Sequence, residues 1–205
     1  MTFPLNLPSS YKSSMVVSRL IFVNSETTSP FTLESQLYKW AGERWEFDVT
    51  IPPTNDRDVA EDFIAFAMKL QGKYGTFLLG DPANPNPRGS WGGTPVVNGV
   101  SQTGNTLEID GATPLMVNYG RTGDWVQVGT GLSARLYKLT ANCNSDSAGR
   151  VSLPVSPAIR SGTADGAAIT VVNARGLFRM QEDTVSWSFD TDKMFRYSFK
   201  AVEAI

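Results

Sequence analysis

Residues 56–89 read DRDVAEDFIAFAMKLQGKYGTFLLGDPANPNPRG, and this stretch decides the fold. Its first half predicts an amphipathic helix, because apolar side chains recur at steps of three and four residues and therefore share one helical face. That face consists of Val59, Phe63, Phe66, Ala67 and Leu70, and the opposite face carries Arg57, Asp58, Glu61, Asp62 and Lys69. No other segment of the chain gives a convincing helical pattern.

Local signals mark both ends of this helix. Thr54, Asn55 or Asp56 can cap its N-terminus, and Gly72 lies where a left-handed residue commonly ends a helix. The following TFLL at 76–79 predicts a short buried strand. Burial gives roughly 1.5–3 kcal/mol per apolar side chain, whereas ordering the backbone costs about 1–2 kcal/mol per residue. The helix therefore needs a sheet, which the segments on either side must supply.

Composition excludes several classes of protein. The 205 residues suit one large domain or two small ones, and a net charge of −2 without a Lys/Arg cluster predicts no specific nucleic-acid binding. The single cysteine, Cys143, cannot form an internal disulfide. Histidine is absent, which removes the usual base of Ser and Cys hydrolases and the commonest transition-metal ligand. With no apolar run near the roughly 20 residues of a membrane span and no signal-peptide pattern, we expect a protein made in the cytoplasm.

The segments before the helix predict two antiparallel strands. Residues 1–14 form either an extended arm or a frayed terminus, and the apolar run at 15–23 predicts the first strand. The polar cluster 24–30 is interpreted as a turn or loop. Apolar residues alternate in 31–39 and again in 45–51, with Gly42 breaking the run and Pro52-Pro53 ending it.

A change in composition follows the helix. The proline-rich segment 81–90 cannot join a sheet, and from there to 175 charged residues become sparse. Turn signals separate short alternating runs, which predict a small barrel or sandwich. These runs are 106–109, 115–119, 125–128, 135–139, 150–153 and 168–172. Residues 184–203 then predict a hairpin with a tight turn at 190–193.

In their alternation of apolar and charged residues, the two ends of the chain resemble each other more than they resemble the middle. We therefore expect an α+β fold that is mainly β, with a discontinuous domain of residues 1–89 plus 176–205. An all-β, barrel-like domain of residues 90–175 is inserted into it.

Several candidate sites have a plainer structural interpretation. The segment 129–134, GTGLSA, matches a dinucleotide-binding pattern, but the next residues alternate like a strand and favour a hairpin turn. Asn142, Asn144 and Asp146 resemble the start of a calcium loop but lack its late glutamate, so a polar turn is favoured. The side-chain oxygens of Asp81, Asn84 and Asn86 could hold a cation. The Asp-Pro and Asn-Pro steps at these positions are also typical of turns, and a turn is the favoured interpretation.

Two acidic pairs and five tryptophans complete the candidates. Glu108 with Asp110, and Asp190 with Asp192, could form a glycosidase pair, but surface charge is the favoured interpretation. The tryptophans could stack against sugars, although packing is favoured, and Trp91 is expected to be the most exposed because Gly and Ser flank it. The five are Trp40, Trp45, Trp91, Trp125 and Trp187. We assign no catalytic, cofactor-binding or metal-binding residue.

Three stretches carry a resemblance to a known family. These are 71–82, QGKYGTFLLGDP, followed by 87–89, PRG; 102–107, QTGNTL, with Asp110-Gly111; and 134–138, ARLYK, with the closing 201–203, AVE. From about residue 15 to the end, the chain resembles distal tail or tail-tip structural proteins of long-tailed (siphovirus-like) bacteriophages and prophages.

This resemblance implies a tail-tube-like β-sandwich or sheet with one helix. It implies a virion protein that forms a closed homo-oligomeric ring, most often hexameric, between the tail tube protein and the proteins of the central hub or baseplate, leaving a lumen for DNA. It implies assembly in the host cytoplasm and no cofactor. The alternative is a receptor- or carbohydrate-binding module that acts through residues 90–175, and an enzyme that attacks cell-wall glycan is a third hypothesis.

Overall fold

The structure, a computed structural model, describes residues 2–10, 13, 15–159 and 162–205. Strands make up 47% of the chain and helix 9%, which confirms the predicted mainly β fold. The elements in chain order are β1 (Leu5–Asn6), β2 (Met15–Thr28), β3 (Ser35–Thr54), α1 (Arg57–Leu70), β4 (Thr76–Leu79), β5 (Gly93–Val97), β6 (Gly104–Ala112), β7 (Trp125–Val128), the 3-10 turn η1 (Gly131–Ser133), β8 (Arg135–Leu139), β9 (Val151–Ile159), β10 (Ile169–Thr170), β11 (Gly176–Met180), β12 (Ser188–Phe189) and β13 (Phe195–Glu203).

The strands form two sheets. The first has the order β1-β4-β11-β13-β3-β2, with β12 paired to one end of β13, so both chain ends contribute to it. The second has the order β10-β7-β8-β9-β6-β5 and contains only strands from the middle of the chain. It curls until Val96 on β5 bridges Ala168 beside β10, which nearly closes a small barrel. The division into domains at 89/90 and 175/176 stays a prediction.

Helix α1 lies on the first sheet as its periodicity predicts. The Asp56 carboxylate caps it by accepting hydrogen bonds from the backbone N–H groups of Asp58 (3.0 Å) and Val59 (3.4 Å). At the C-terminus Gln71, not Gly72, is the first left-handed residue, although Gly72 has a positive φ as well. The buried face is Ala60, Phe63, Ile64, Phe66, Ala67 and Leu70.

Aromatic contacts join this helix to strands from both ends of the chain. The Phe63 ring lies 5.7 Å from Phe199 and 5.3 Å from Tyr197, both on β13, and the Phe66 ring lies 5.6 Å from Phe77 on β4. The helix therefore fixes the last strand of the chain against strands that come from its first half.

Two tryptophans join the two sheets. The buried rings of Trp45 on β3 and Trp125 on β7 lie 4.7 Å apart. The Trp45 indole N–H donates to the Leu136 carbonyl (3.0 Å), and that of Trp125 donates to the Asp81 carboxylate (3.1 Å). A buried indole N–H group needs a hydrogen-bond acceptor. These two bonds supply one to each ring and so fix its orientation.

The structure corrects several predicted boundaries. Strand β2 continues through 24–28, which was expected to be a loop; these residues are polar because both faces of the strand are exposed there. Strand β3 continues through Gly42, where a Cβ would lie 2.7 Å from Val23 Cγ2, so this glycine permits a close approach and does not end the strand. It also continues through Pro52-Pro53.

Residues 115–119 are not a strand. They form turns in which Leu115 and Asn118 are left-handed, and the N–H of Asn118 donates to the Asn144 side chain (2.7 Å). The alternation of apolar residues that predicted a strand here places Leu115 and Val117 in solvent. The predicted hairpin at 184–203 is present, with a short first strand, β12, that pairs with β13.

We predict that Phe63→Ala lowers the free energy of unfolding by about 3–5 kcal/mol, because it opens a cavity between α1 and β13. Met68→Ala on the exposed side of the same helix is the control and should change it by about 0.5 kcal/mol or less. Urea denaturation of the purified variants measures both. Equal losses in the two variants would contradict the described packing.

Candidate functional site

A two-stranded ribbon projects from the first sheet. We define the ribbon as residues 22–42: the distal part of β2, the connecting loop 29–34 and the distal part of β3. Every residue of 22–28 and 35–42 is exposed, whereas buried residues alternate along β3 from Glu43 onward. At about 3.3 Å per residue, 22–28 extends the ribbon roughly 23 Å beyond the body of the protein.

The ribbon carries large apolar side chains that are exposed in the described part of the chain. Phe31 is 93% exposed and Leu33 is 78% exposed. The full set is Phe22, Val23, Phe31, Leu33, Leu37, Tyr38 and Trp40. Fully covered aromatic side chains bury 150–250 Å² each, so this set exposes on the order of 1,000 Å². The largest apolar patch on a typical monomer is about 300–600 Å².

Exposed apolar side chains lie on both faces of the ribbon. The pairing places Val23 opposite Trp40 and Glu26 opposite Leu37, and directly opposed residues share a face. Val23, Tyr38 and Trp40 therefore lie on one face, where the rings of Tyr38 and Trp40 make an edge contact at 4.8 Å. Leu37 lies on the other face, together with Phe22 by alternation along β2.

The loop at the tip has a defined shape. The Ser29 carbonyl accepts a hydrogen bond from Leu33 N–H (3.0 Å), and Ser29 N–H donates to the Glu34 carbonyl (2.9 Å). The Ser29 hydroxyl accepts from the N–H groups of Phe31 and Thr32, both at 3.4 Å. These bonds join groups within the loop and fix the course of its backbone. The side chains of Phe31 and Leu33 are held outward from this backbone and are exposed.

The base of the ribbon is tied to the second sheet. The pairing shifts between Ile21 and Val23, so β3 bulges over 41–43. Glu43 in this bulge is buried, and its carboxylate accepts a hydrogen bond from the N–H of Ala158 on β9 (2.8 Å). The same carboxylate pairs with Lys39 on the ribbon (2.5 Å). One side chain therefore connects the ribbon, the first sheet and the barrel.

The tryptophans divide differently from the prediction. Trp45 and Trp125 are buried in the core, as packing residues, but Trp91 is buried as well, so its expected exposure is wrong. The exposed ones are Trp40 on the ribbon and Trp187 before β12. The Trp91 ring packs against Tyr119, with centroids 5.0 Å apart, and Gly120 leaves room for it, since a Cβ at Gly120 would lie 3.1 Å from the ring.

The glycine pattern at 129–134 forms a hairpin connection. It joins β7 to β8, which pair antiparallel, and it contains only the short turn η1. The dinucleotide motif requires a helix of several turns that begins at this point. The hairpin that the sequence favours is therefore confirmed.

The possible cation ligands bind backbone groups instead. Asn142 Oδ1 accepts from Thr122 N–H (2.8 Å), and Asp146 Oδ1 accepts from the N–H groups of Ala148 and Arg150 (both 2.8 Å). In the proline-rich loop, one Asp81 oxygen accepts from Ala83 N–H (2.9 Å). Among the described residues, no cluster of three or more acidic or cysteine side chains has a geometry suited to a metal ion.

The acidic pairs also have structural partners. Glu108 accepts a hydrogen bond from the Ser152 hydroxyl (2.7 Å), and Asp190 pairs with Arg196 across the β12–β13 turn (2.8 Å). Arg196 is the first cause of the lowered pKa of Asp190, followed by the backbone N–H of Met194. A carboxylate with a lowered pKa is a poor general acid at neutral pH.

The buried thiol of Cys143 is in an environment that favours its neutral form. Burial raises its pKa, and burial also raises the pKa of neighbouring Tyr119 to about 12, with a smaller effect of Cys143. Because the thiolate is the reactive form of cysteine, this side chain fits a structural role.

The sequence-based prediction did not find a buried carboxylate that organises the start of the second sheet. Asp124 accepts hydrogen bonds from the N–H groups of Arg88 (2.8 Å), Gly89 (3.0 Å) and Arg121 (3.0 Å) and from the Trp91 indole (2.9 Å). Burial alone would raise the pKa of Asp124, but these four hydrogen bonds outweigh it and lower the pKa. The only sequence signal was the turn at 121–124.

Comparison with protein-family models and with curated proteins found no match for this sequence. In the described part of the chain, no helix combines the length and apolarity needed to cross a membrane. The exposed ribbon is the feature of the structure that most directly indicates a function. Its signal in the sequence was the set of apolar residues within 22–40, a segment otherwise rich in Ser, Thr, Gln and Glu.

We predict that Asp124→Asn destabilises the protein by about 1–3 kcal/mol at pH 7, because an amide NH₂ would face buried N–H donors. The pKa of Asp124 is lowered on folding, so its contribution is fully present above the unfolded-state pKa of about 3.9 and is lost as pH falls through the folded-state pKa.

The stability difference between wild type and Asp124→Asn should therefore narrow below about pH 4. Urea denaturation between pH 7 and pH 3 measures it. A difference that is constant over this range would show that the charge of Asp124 is not what stabilises this junction.

Proposed function

We propose that this protein is a structural component of a bacteriophage tail tip. Copies of the chain form a ring, most often of six, that joins the tail tube to the central hub or baseplate and leaves a lumen for DNA. The exposed apolar ribbon carries this proposal, and the resemblance of residues 71–82, 102–107 and 134–138 to distal tail proteins supplies the place in the virion.

The ribbon favours protein assembly over chemistry. A specific interface buries about 800 Å² per partner, and the apolar side chains of the ribbon alone offer on the order of that area. Its aromatic and leucine residues are the kinds that form the centres of interfaces. Among the candidate chemical groups, in contrast, Asn142 is bound by a backbone N–H, Glu108 by Ser152 and Asp190 by Arg196.

One face of the first sheet suits a lumen. On β2 and β3, the residues that alternate with the core include Arg19 and Glu46, which lie directly opposite each other. They include both signs of charge, and Asp48 also pairs with Arg19 on β2 (2.6 Å). Because phosphate attraction grows with the number of basic contacts, a mixed surface lets DNA pass without strong binding.

The observed burial counts against a carbohydrate-binding module in residues 90–175. Sugar stacking needs exposed aromatic rings, and the four aromatic residues of this segment, Trp91, Tyr119, Trp125 and Tyr137, are buried. The proposed role of the inserted sheet is to project from the ring.

We expect the double variant Leu37→Ser/Trp40→Ser to weaken self-association at least about tenfold, since a loss of 1.4 kcal/mol suffices for that factor. It should leave the unfolding free energy of the isolated chain within about 0.5 kcal/mol, because both side chains are exposed. Light scattering over a range of concentrations, with negative-stain microscopy of the oligomer, measures the effect.

The matched control is Leu115→Ser/Val117→Ser, which removes two exposed apolar side chains from the turns between β6 and β7. This control should associate like the wild type. A wild type that remains monomeric at every concentration, or a control that dissociates as strongly as the ribbon variant, would contradict ring assembly through the ribbon.

A further inference from the structure

The first sheet contains an opening beside β13. On that side, β13 pairs with β11 through Ala201 to Glu203 and with β12 through Phe195 and Arg196. Residues 197–200 lie between these two ladders, and the neighbouring segment 182–187 is not in a strand. The opening is a cavity of about 340 Å³ that lies against α1.

The lining of this cavity is apolar inside and polar outside. Its buried and half-buried side chains include Phe63 on α1, Met180, Val185 and Phe199. Its exposed lining includes Thr184 and Lys200. An apolar cavity with a polar rim is the arrangement found at the centre of protein interfaces, where a few anchoring side chains enter a pocket.

The tip of the ribbon cannot reach the cavity of its own chain. Residue 48 of β3 lines the cavity, and β3 runs continuously from there to residue 35, next to the tip. At about 3.3 Å per residue in an extended strand, the tip is roughly 45 Å away from residue 48. An occupant of the cavity that comes from the ribbon must therefore belong to another copy.

We propose that the ribbon tip of one copy, with Phe31 and Leu33, enters the cavity beside β13 of the next copy. This inference rests on the proposed ring assembly and specifies its contact. The tip has the required chemistry, because its two exposed apolar side chains are held outward by the Ser29 bonds and its nearest charged residue is Glu34. Phe31 and Leu33 are the anchor of this contact, and the other exposed apolar side chains of the ribbon add the area that a stable contact between two copies needs.

A contact of this kind is head-to-tail, since the tip and the cavity are different surfaces of the same chain. Head-to-tail contacts close into rings when the rotation between copies permits, whereas tip-to-tip pairing of two ribbons would stop at a dimer. The ribbon extends the first sheet itself, so its direction relative to the cavity is set by the continuous strand β3.

Cysteine cross-linking tests the contact on the full chain. Thr32→Cys places a thiol on the tip and Thr184→Cys places one at the cavity rim, and both positions are exposed. The native Cys143 is buried and does not compete. Ser147→Cys, at an exposed turn of the second sheet, is the matched control for the rim position. The two single variants are mixed and treated with a short bis-maleimide.

Thr32→Cys mixed with Thr184→Cys should cross-link on the order of 100-fold faster than Thr32→Cys mixed with Ser147→Cys, because docking raises the effective concentration of the two thiols from about 10 μM to about 1 mM. The double variant Thr32→Cys/Thr184→Cys should give a ladder of covalent oligomers. Preferential cross-linking of Thr32→Cys to itself would overturn the head-to-tail contact.

Three further outcomes bear on this inference and on the proposed function. Oligomers seen by light scattering without tip-to-rim cross-linking above the control would overturn the contact and leave ring assembly standing. A chain that stays monomeric would overturn both. Binding of the wild type to phosphatidylcholine vesicles that is lost in Phe31→Ser/Leu33→Ser, without tip-to-rim cross-linking, would instead identify the tip as a lipid-contacting surface and overturn the contact.

Discussion

A two-stranded β-ribbon has two faces and no third layer to cover either of them. A single hairpin is marginally stable in water, and this one carries large apolar side chains on both sides. Its shape depends on the body at its base, where the Gly42 backbone approaches Val23 and where Glu43 is buried. Its apolar surface, however, is not covered by any described residue of the chain. That exposure is the reason why we propose a role in assembly.

The body of the protein suits the task of holding such a ribbon in place. The helix α1 fixes β13 and β4, and the Trp45 and Trp125 rings fix the second sheet to the first. Glu43 then connects β9 of the second sheet to the base of the ribbon and, through Lys39, to the ribbon itself. The ribbon is therefore joined to both sheets by direct side-chain contacts and not by a flexible linker.

The predictions that succeeded rested on local signals. The helix was predictable because its period, its Asp56 cap and its left-handed end all lie within a few turns of one another. The turn at 129–134 was predictable because the residues after it alternate. The pairing of β13 with β3 depends on residues about 150 positions apart, and it could be expected only from the similar residue pattern of the two chain ends and from the need of the helix for a sheet.

The failures share a physical cause, which is that exposure depends on neighbours distant in sequence. Residues 24–28 resemble a loop because they are polar, yet they are polar because the ribbon is exposed on both faces. Trp91 resembles a surface residue because of its flanking Gly and Ser, yet Gly120 and the Asp124 carboxylate make a buried place for its ring. The ribbon was missed as a site because alternation was interpreted as burial.

The most direct test of the central claim is high-resolution electron microscopy of intact particles from a lysogen that carries this gene. The account predicts a ring of this chain between the tail tube and the hub, with residues 22–42 of each copy covered by its neighbour. Particles that lack the chain, or a ring in which the ribbon points into solvent, would contradict it.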